Sequence, residues 1–439
     1  MSIKNYDLLF IAVSVNAVCV YNSNMPSLSD KLKALGVKVG TSEISLPVLP
    51  KSSGIASSTL DGVSGGRWIS THRGDTFVVE YVYPLNYLHG MVPIQINAPL
   101  SVLSTWARDE RIANLSLSEI AFLDTETSGL SGGTGTYAFM VGVGRFIDTE
   151  FKLSIFFMRD PSEEPALLEA LANYLAPCSG LVTFNGKAFD APLLRTRYQI
   201  NAIPCPFDGF SHIDLLPLAR RLWRDRLPSR ALKYLEEHIM VAPRTSEEVP
   251  GFEIPWLYFD YLRNGDITPL KGVFYHNSMD VVAMAALLSL VTKMLSNPHG
   301  VEIEHGQDVI ALGKLFEDLN LWEDAALLYE RGLKTPLPEE DFWQAVKRLS
   351  TLQRRRGDID TAVQLWRQAA AEGHIYAHIE LAKYYEHSRR DIPAAQEWTQ
   401  SALKHLETVK LPKYIYNHWL DELTHRLERL EGKAKKIYK

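Results

Sequence analysis

The chain has 439 residues and a formal net charge of −6, with 46% apolar and 22% charged residues. That length is too great for one small core, so two or three domains are expected, and the balance is that of an ordinary soluble globular protein. The three cysteines, Cys19, Cys178 and Cys205, are far apart and form no CxxC pair. This argues against a Cys-based zinc site or a disulfide framework and fits a reducing cytoplasm. The net charge does not advertise nucleic-acid binding, although a local basic surface can bind phosphates on an acidic protein.

Leu8 to Val20 is apolar over 13 residues, too short to span a bilayer comfortably, and no membrane partner is expected. It resembles a signal h-region, with a buried strand, or a natural start at Met25, as the other readings. Residues 41–66 are rich in Ser, Gly and Pro and read as a linker, so 1–66 is expected to be an N-terminal extension. In 67–115 the run Thr76–Tyr83 gives a strong strand signal before Pro84 and the His89-Gly90 turn, a small β-rich lead-in.

Residues 116–297 alternate strands and helices. A strand ends at Asp124, two more follow over 137–144 and 151–158, and a helix covers 163–175. Then come a strand at 181–184, a helix from about Ala188, a strand near 212–215, and a helix from about His276 to Leu295. The order predicts an α/β layered domain with a mixed sheet, of the ribonuclease-H-like kind. From 305 to 439 strand signals stop. Ala325…Tyr329, Ala362…Trp366 and Ala394…Trp398 recur, and Leu312, Leu349 and Leu381 keep the same offsets. Small and aromatic residues four apart, at a period near 34, predict tetratricopeptide-like helical hairpins.

The most informative stretch is Ala121–Leu130, AFLDTETSGL. Alternate side chains on a strand share one face, so Asp124 and Glu126 are expected to project together from the end of a buried strand. Adjacent carboxylates repel unless a cation sits between them, and hard cations such as Mg²⁺ or Mn²⁺ take oxygen ligands. Phosphoryl transfer is the chemistry such sites most often serve. A second acidic signal, Asp190, falls in the first turn of a helix after TFNGKAF, where it could also simply favour the helix dipole. A third signal is YHNSMD, with His276 and Asp280 four apart on one helix face.

Thr127 and Gly129 open a Gly-rich segment running to Thr136. It reads either as a tight hairpin or as backbone approaching a terminal nucleotide with amides toward phosphate. Asn185 is a substrate contact or a turn residue. Between 195 and 233 basic residues recur with Tyr198 and Trp223 interleaved. Beside a metal site, this run, with Arg224 and Arg226 as its representatives, is expected to track phosphates.

Together, Asp124, Glu126, Asp190 and Asp280 resemble the four acids of the DEDD exonuclease superfamily. More narrowly, FLDTETSGLSGGTGTYAFMVGVG, FNGKAFDAPLLRTRY, HIDLLPLARRLW and YHNSMDVVAMAALL resemble the YprB-type ribonuclease-H-like domain, a group that often carries C-terminal tetratricopeptide repeats. The resemblance implies two divalent cations, Mg²⁺ or Mn²⁺, with Asp124 bridging them and Glu126, Asp190 and Asp280 completing the shells. It implies a 3′→5′ exonuclease with a general base, DNA favoured over RNA as substrate, and a repair setting with a helicase as a candidate partner of the repeats. In that superfamily the base is a His five residues before the last acid or a Tyr four before it. Here Tyr275 stands at minus five and His276 at minus four. Minus four lies near the Asp280 face of a regular helix, so His276 is expected as the base and Tyr275 as a packing or substrate contact. An exoribonuclease of the same fold, and a non-catalytic nucleic-acid-binding or scaffold protein acting through its repeats, are the alternatives.

Overall fold

A computed structural model describes residues 65–129 and 135–437. The expectations for the N-terminal extension, Met25 and the centre of the Gly-rich segment lie outside the described residues.

Strand β1 (Gly66–Thr71) and strand β2 (Gly74–Pro84) form an antiparallel hairpin, and β3 (Leu88–His89) pairs with β4 (Val92–Pro93) in a second, small one. Helix α1 (Ser101–Ala107) leads to β5 (Ile120–Thr127), whose first four residues are buried and last four half-buried. Strands β6 (Ala138–Ile147) and β7 (Glu150–Phe157) continue an antiparallel meander. Helix α2 (Glu164–Leu175) then crosses to β8 (Gly180–Thr183), and helix α3 (Asp190–Ile200) to β9 (Ser211–Asp214). Crossovers of that length allow parallel pairing. The main sheet accordingly runs β1-β2-β7-β6-β5-β8-β9, antiparallel up to β5 and parallel beyond it. The β-rich lead-in thus joins the main sheet: β2 pairs with β7 from Phe77 to Pro84.

After β9 come helix α4 (Leu215–Trp223), one short turn of helix α5 (Leu232–Leu235), a π-type turn at Glu236–Met240, and helix α6 (Ile254–Asn264). Tyr258 of α6 stacks on Phe139 of β6 at 3.9 Å between centroids, which fastens α6 to the sheet. Helix α7 (Lys271–Ser296) lies over the β5 and β6 strands. It begins earlier than the apolar pattern indicates, because the Thr268–Leu270 turn, with Pro269 inside it, starts the coil. By length and composition α7 could cross a membrane, but it is a core helix, largely buried inside the fold.

Seven helices follow: α8 (Gly306–Asp318), α9 (Trp322–Gly332), α10 (Glu339–Arg356), α11 (Ile359–Ala371), α12 (Ile375–Tyr384), α13 (Ile392–Thr408) and α14 (Lys413–Ile437). Each packs against its neighbour in sequence. The recurring residues fall on matching helices. Leu312, Leu349 and Leu381 are buried on α8, α10 and α12, and Ala325, Tyr329, Ala362 and Trp366 are buried on α9 and α11. On α13 the register slips by one, with Ala395 buried and Ala394 half-buried. One apolar cluster runs from Phe77 to Leu352, so the first of these helices share the core of the sheet domain. Ion pairs fix α8 against the end of α4: Arg226 to Asp308 at 2.7 Å, Lys314 to Asp225 at 2.7 Å, and Arg221 to Asp318.

Candidate active site

The face of β5 that carries Asp124 and Glu126 is the face α7 covers. Gly142 and Gly144 on β6 make that approach possible. A Cβ on Gly142, the β6 partner of Asp124, would stand 2.1 Å from Asn277 Oδ1, and one on Gly144 would stand 2.7 Å from Val281. Through that notch Asn277 Nδ2 donates to Asp124 Oδ2 at 2.8 Å. A register shift at Glu126/Thr127 bends the end of β5, where such bulges re-aim side chains. Asp190 opens α3 and accepts a hydrogen bond from Thr125 Oγ1.

His276 stands among the acids. Its Nε2 is 3.5 Å from Asp280 Oδ2 and 3.8 Å from Glu126 Oε1, and its Nδ1 is 3.1 Å from Glu248 Oε1. Behind it lies Arg244, only 2% exposed. The guanidinium donates from Nε to Glu236 Oε2 at 2.8 Å, from Nη1 to Glu248 Oε1 at 3.0 Å, and from Nη2 to Asp280 Oδ1. Glu236 is wholly buried in the π-type turn and its other oxygen contacts His89 Nε2 at 2.9 Å.

Burial, then the facing charges of Asp280, Glu126 and Asp190, hold Asp124 well above the usual carboxylate range. Burial likewise pushes Glu126 up to about 8, against the pull of His276, and raises Asp190. For His276, burial opposes the charge, but the Glu248 hydrogen bond and the Asp280 and Glu126 carboxylates outweigh it and raise the imidazole to about 9. Burial also opposes charge on Glu248, yet His276 and Arg244 hold it below its ordinary value. In this state His276 keeps its proton at neutral pH.

A cleft of about 670 Å³ opens beside these groups. Its walls include Asn185, Arg220, Arg230, Lys233, Arg244, Glu248, His276 and Asp280. The lining therefore sets the carboxylates Glu248 and Asp280 beside basic side chains, a charge layout that suits a phosphate chain and cations.

Among the described residues, no three His, Cys, Asp or Glu side chains are grouped tightly enough to hold an ion as they stand. The donor chemistry nonetheless fits a hard divalent cation. The facing groups are carboxylates whose ionised forms are disfavoured by burial and mutual repulsion. Two buried acceptors, Asn277 Oδ1 and Glu248 Oε2, lack any hydrogen-bond partner.

A family model described as RNase_H superfamily matches residues 121–292. A protein of Bacillus subtilis (strain 168), named uncharacterized protein YprB, is 30% identical over 335 residues, which cover 74% of this chain and 79% of that protein. The chain belongs to the YprB family. Among solved structures, the family B DNA polymerase from the archaeon Pyrobaculum calidifontis aligns with a TM-score of 0.31 and 15% identity. That alignment covers 45% of this chain and 29% of the polymerase.

In this YprB-family chain, Asp124, Glu126, Asp190, Asp280 and His276 lie in one neighbourhood. Asn185 lines the cleft and is also a turn residue, with φ of 70° and its backbone N–H donating to Asp214 at 2.7 Å. Other expected contacts stand elsewhere. Arg226 is committed to Asp308, and Arg224 is exposed beside Asp225; neither lines the cleft. Their places on the cleft wall are taken by Arg220, Arg230 and Lys233. Tyr275 turns its hydroxyl to accept from the Thr245 backbone N–H at 2.9 Å, a packing role rather than a cleft contact. Thr127 donates to the Gly129 carbonyl at 2.9 Å, which closes the turn after β5. Sequence reasoning missed Arg244, Glu236, Glu248 and Asn277. The first three lie at helix ends and in irregular chain, where no periodic pattern marks them. Asn277 does have a signal: it stands between His276 and Ser278 in the polar first half of a helix whose later turns are mostly apolar.

Proposed function

We propose that this protein is a metal-dependent 3′→5′ exonuclease that hydrolyses phosphodiester bonds from the 3′ end of DNA in a repair setting. The observation that carries the reading is the gathering of Asp124, Glu126, Asp190 and Asp280, from β5, α3 and α7, near His276, with Asp280 and His276 lining a cleft that Arg220, Arg230 and Lys233 also line. The RNase_H-superfamily match over residues 121–292 and the ribonuclease-H-like sheet support nuclease chemistry.

Asp124, Glu126, Asp190 and Asp280 would hold two divalent cations, Mg²⁺ or Mn²⁺. When bound, these would steady the scissile phosphate and the charge on the attacking and leaving oxygens. His276 would be the proton acceptor in this reading once cations held by the acids had offset the carboxylate charge that keeps it protonated in the metal-free site. Its proton is held by Asp280, Glu126 and Glu248, so its basicity follows the charge left on those carboxylates. Arg220, Arg230 and Lys233 would neutralise backbone phosphates along the cleft, and Asn185 would bond the terminal nucleotide.

The paired helices from α8 to α13 are proposed to be tetratricopeptide-like repeats that bind a protein partner. Their packing in sequence order and the buried Ala and aromatic positions on α9 and α11 support that reading.

The test is degradation of 3′-labelled single-stranded DNA and RNA in Mg²⁺ or Mn²⁺. Wild-type protein is expected to release 5′-mononucleotides from DNA, and Asp124→Ala to release none. Faster loss of RNA would move the substrate to RNA. Equal products from both proteins, or none from either, would leave the fold as a binding scaffold.

A further inference from the structure

The most buried cation at the site is Arg244, its side chain 2% exposed. Three carboxylates converge on its guanidinium: Glu236 from the π-type turn, Glu248 four residues downstream, and Asp280 from α7. These come from three separate segments, and the Arg244 and Glu236 side chains are 2% and 0% exposed. Surface ion pairs contribute little, but a buried guanidinium satisfied by fixed oxygens is a rigid joint.

The bonds divide the labour in a specific way. Arg244 takes Asp280 by Oδ1, which leaves Oδ2 turned toward His276 Nε2 at 3.5 Å. Arg244 takes Glu248 by Oε1, the same oxygen that meets His276 Nδ1 at 3.1 Å. One guanidinium thereby sets the free oxygen of the last acid and the tilt of the imidazole beside it. Glu236 anchors the guanidinium from behind, and His89 of β3 anchors Glu236 at 2.9 Å.

We infer that Arg244 is the positioning residue of this site, orienting Asp280 directly and His276 through Glu248, so that the acids can close on a divalent cation. The inference rests on the exonuclease reading above for the identity of the acids as cation ligands. Only Arg fits the role. Its planar fork supplies donors in fixed directions to three partners, whereas Lys offers a single point charge on a flexible stem. Outer partners of ligating carboxylates typically govern metal affinity by about 10- to 100-fold.

The experiment is Mn²⁺ binding by calorimetry to the full chain stripped of metal, with thermal melting in parallel, for wild type, Asp124→Asn, Arg244→Lys and Glu236→Gln. Arg244→Lys keeps the charge and is expected to stay folded while weakening Mn²⁺ about 10- to 100-fold. Glu236→Gln removes the anchor without touching the cleft, and is expected to weaken Mn²⁺ less, in the same direction. If Arg244→Lys melts early, Glu236→Gln decides alone. Unchanged or tighter Mn²⁺ binding in the folded variants would overturn the inference. Absent binding in wild type, or wild-type binding in Asp124→Asn, would instead sink the exonuclease reading and the inference with it.

Discussion

Asn277 Nδ2 donates to Asp124 Oδ2 at 2.8 Å, and the bond exists because Gly142, opposite Asp124 on β6, has no Cβ. A residue without chemistry of its own therefore sets how closely α7 can approach the acids.

Gly142→Ala is expected to drive a methyl group into Asn277 Oδ1, 2.1 Å from the Cβ position, at a cost of about 1–3 kcal/mol of overpacking. Urea unfolding checks this. In an Asn277→Ala background the same change should cost distinctly less, because the clash partner is gone; equal costs in the two backgrounds would mean that Asn277 is not the obstacle.

Stability of the metal-free protein should fall as pH rises from about 5 to 9. Glu126, pushed up to about 8, contributes stability that is full below the ordinary carboxylate pKa and is lost as pH passes through 8. His276, raised to about 9, has the same sign: its contribution is full below the ordinary imidazole value and lost through 9. Melting in EDTA across that range checks both, and Glu126→Gln should flatten the slope. A metal-free melting temperature that climbs between pH 6 and 8 would contradict the electrostatic picture.

Much of this site is legible in the chain. Alternation along AFLDTET puts Asp124 and Glu126 on one face, and both face Asp280 and Asp190; the spacing of four puts His276 Nε2 3.5 Å from Asp280 Oδ2. A mixed sheet over 116–297 also follows from the strand and helix pattern; that β2 pairs with β7 and extends it does not. The rest was not legible for physical reasons. Arg244, Glu236 and Glu248 are joined by tertiary contacts across a π-type turn and irregular chain, where local periodicity says nothing. The basic run between 195 and 233 shows charge but not direction, so Arg226, bound to Asp308, is indistinguishable in sequence from Arg220 on the cleft wall.

That difference in direction is measurable. Arg220→Ala should weaken oligonucleotide binding and reduce its salt slope by about 1, because one released counterion is lost. Arg224→Ala should change the slope less, since Arg224 is exposed beside Asp225 and does not line the cleft. Fluorescence anisotropy over a range of salt concentrations separates them, and the opposite pattern would relocate the substrate path.

A second buried carboxylate on a π-type turn, Glu386, holds the C-terminal helix. It meets Arg426 at 3.2 Å, Lys433 at 2.7 Å, and Arg429. Burial opposes its charge, but these cations outweigh it and depress Glu386 to about 2. Its contribution is therefore present above the ordinary carboxylate value and is lost as pH falls through 2. Glu386→Gln should detach α14 at neutral pH, read as faster amide exchange over residues 413–437 with protection of β5 and β6 retained. Unchanged exchange in α14 would show that apolar packing alone holds it.

The most direct test of the central claim is the product ladder from a 5′-labelled single-stranded DNA oligonucleotide incubated with the full chain and Mg²⁺ or Mn²⁺. The account predicts progressive shortening from the 3′ end, lost on adding EDTA and absent in Asp124→Ala. An intact oligonucleotide in every lane, or a ladder that persists in EDTA or in Asp124→Ala, would contradict it.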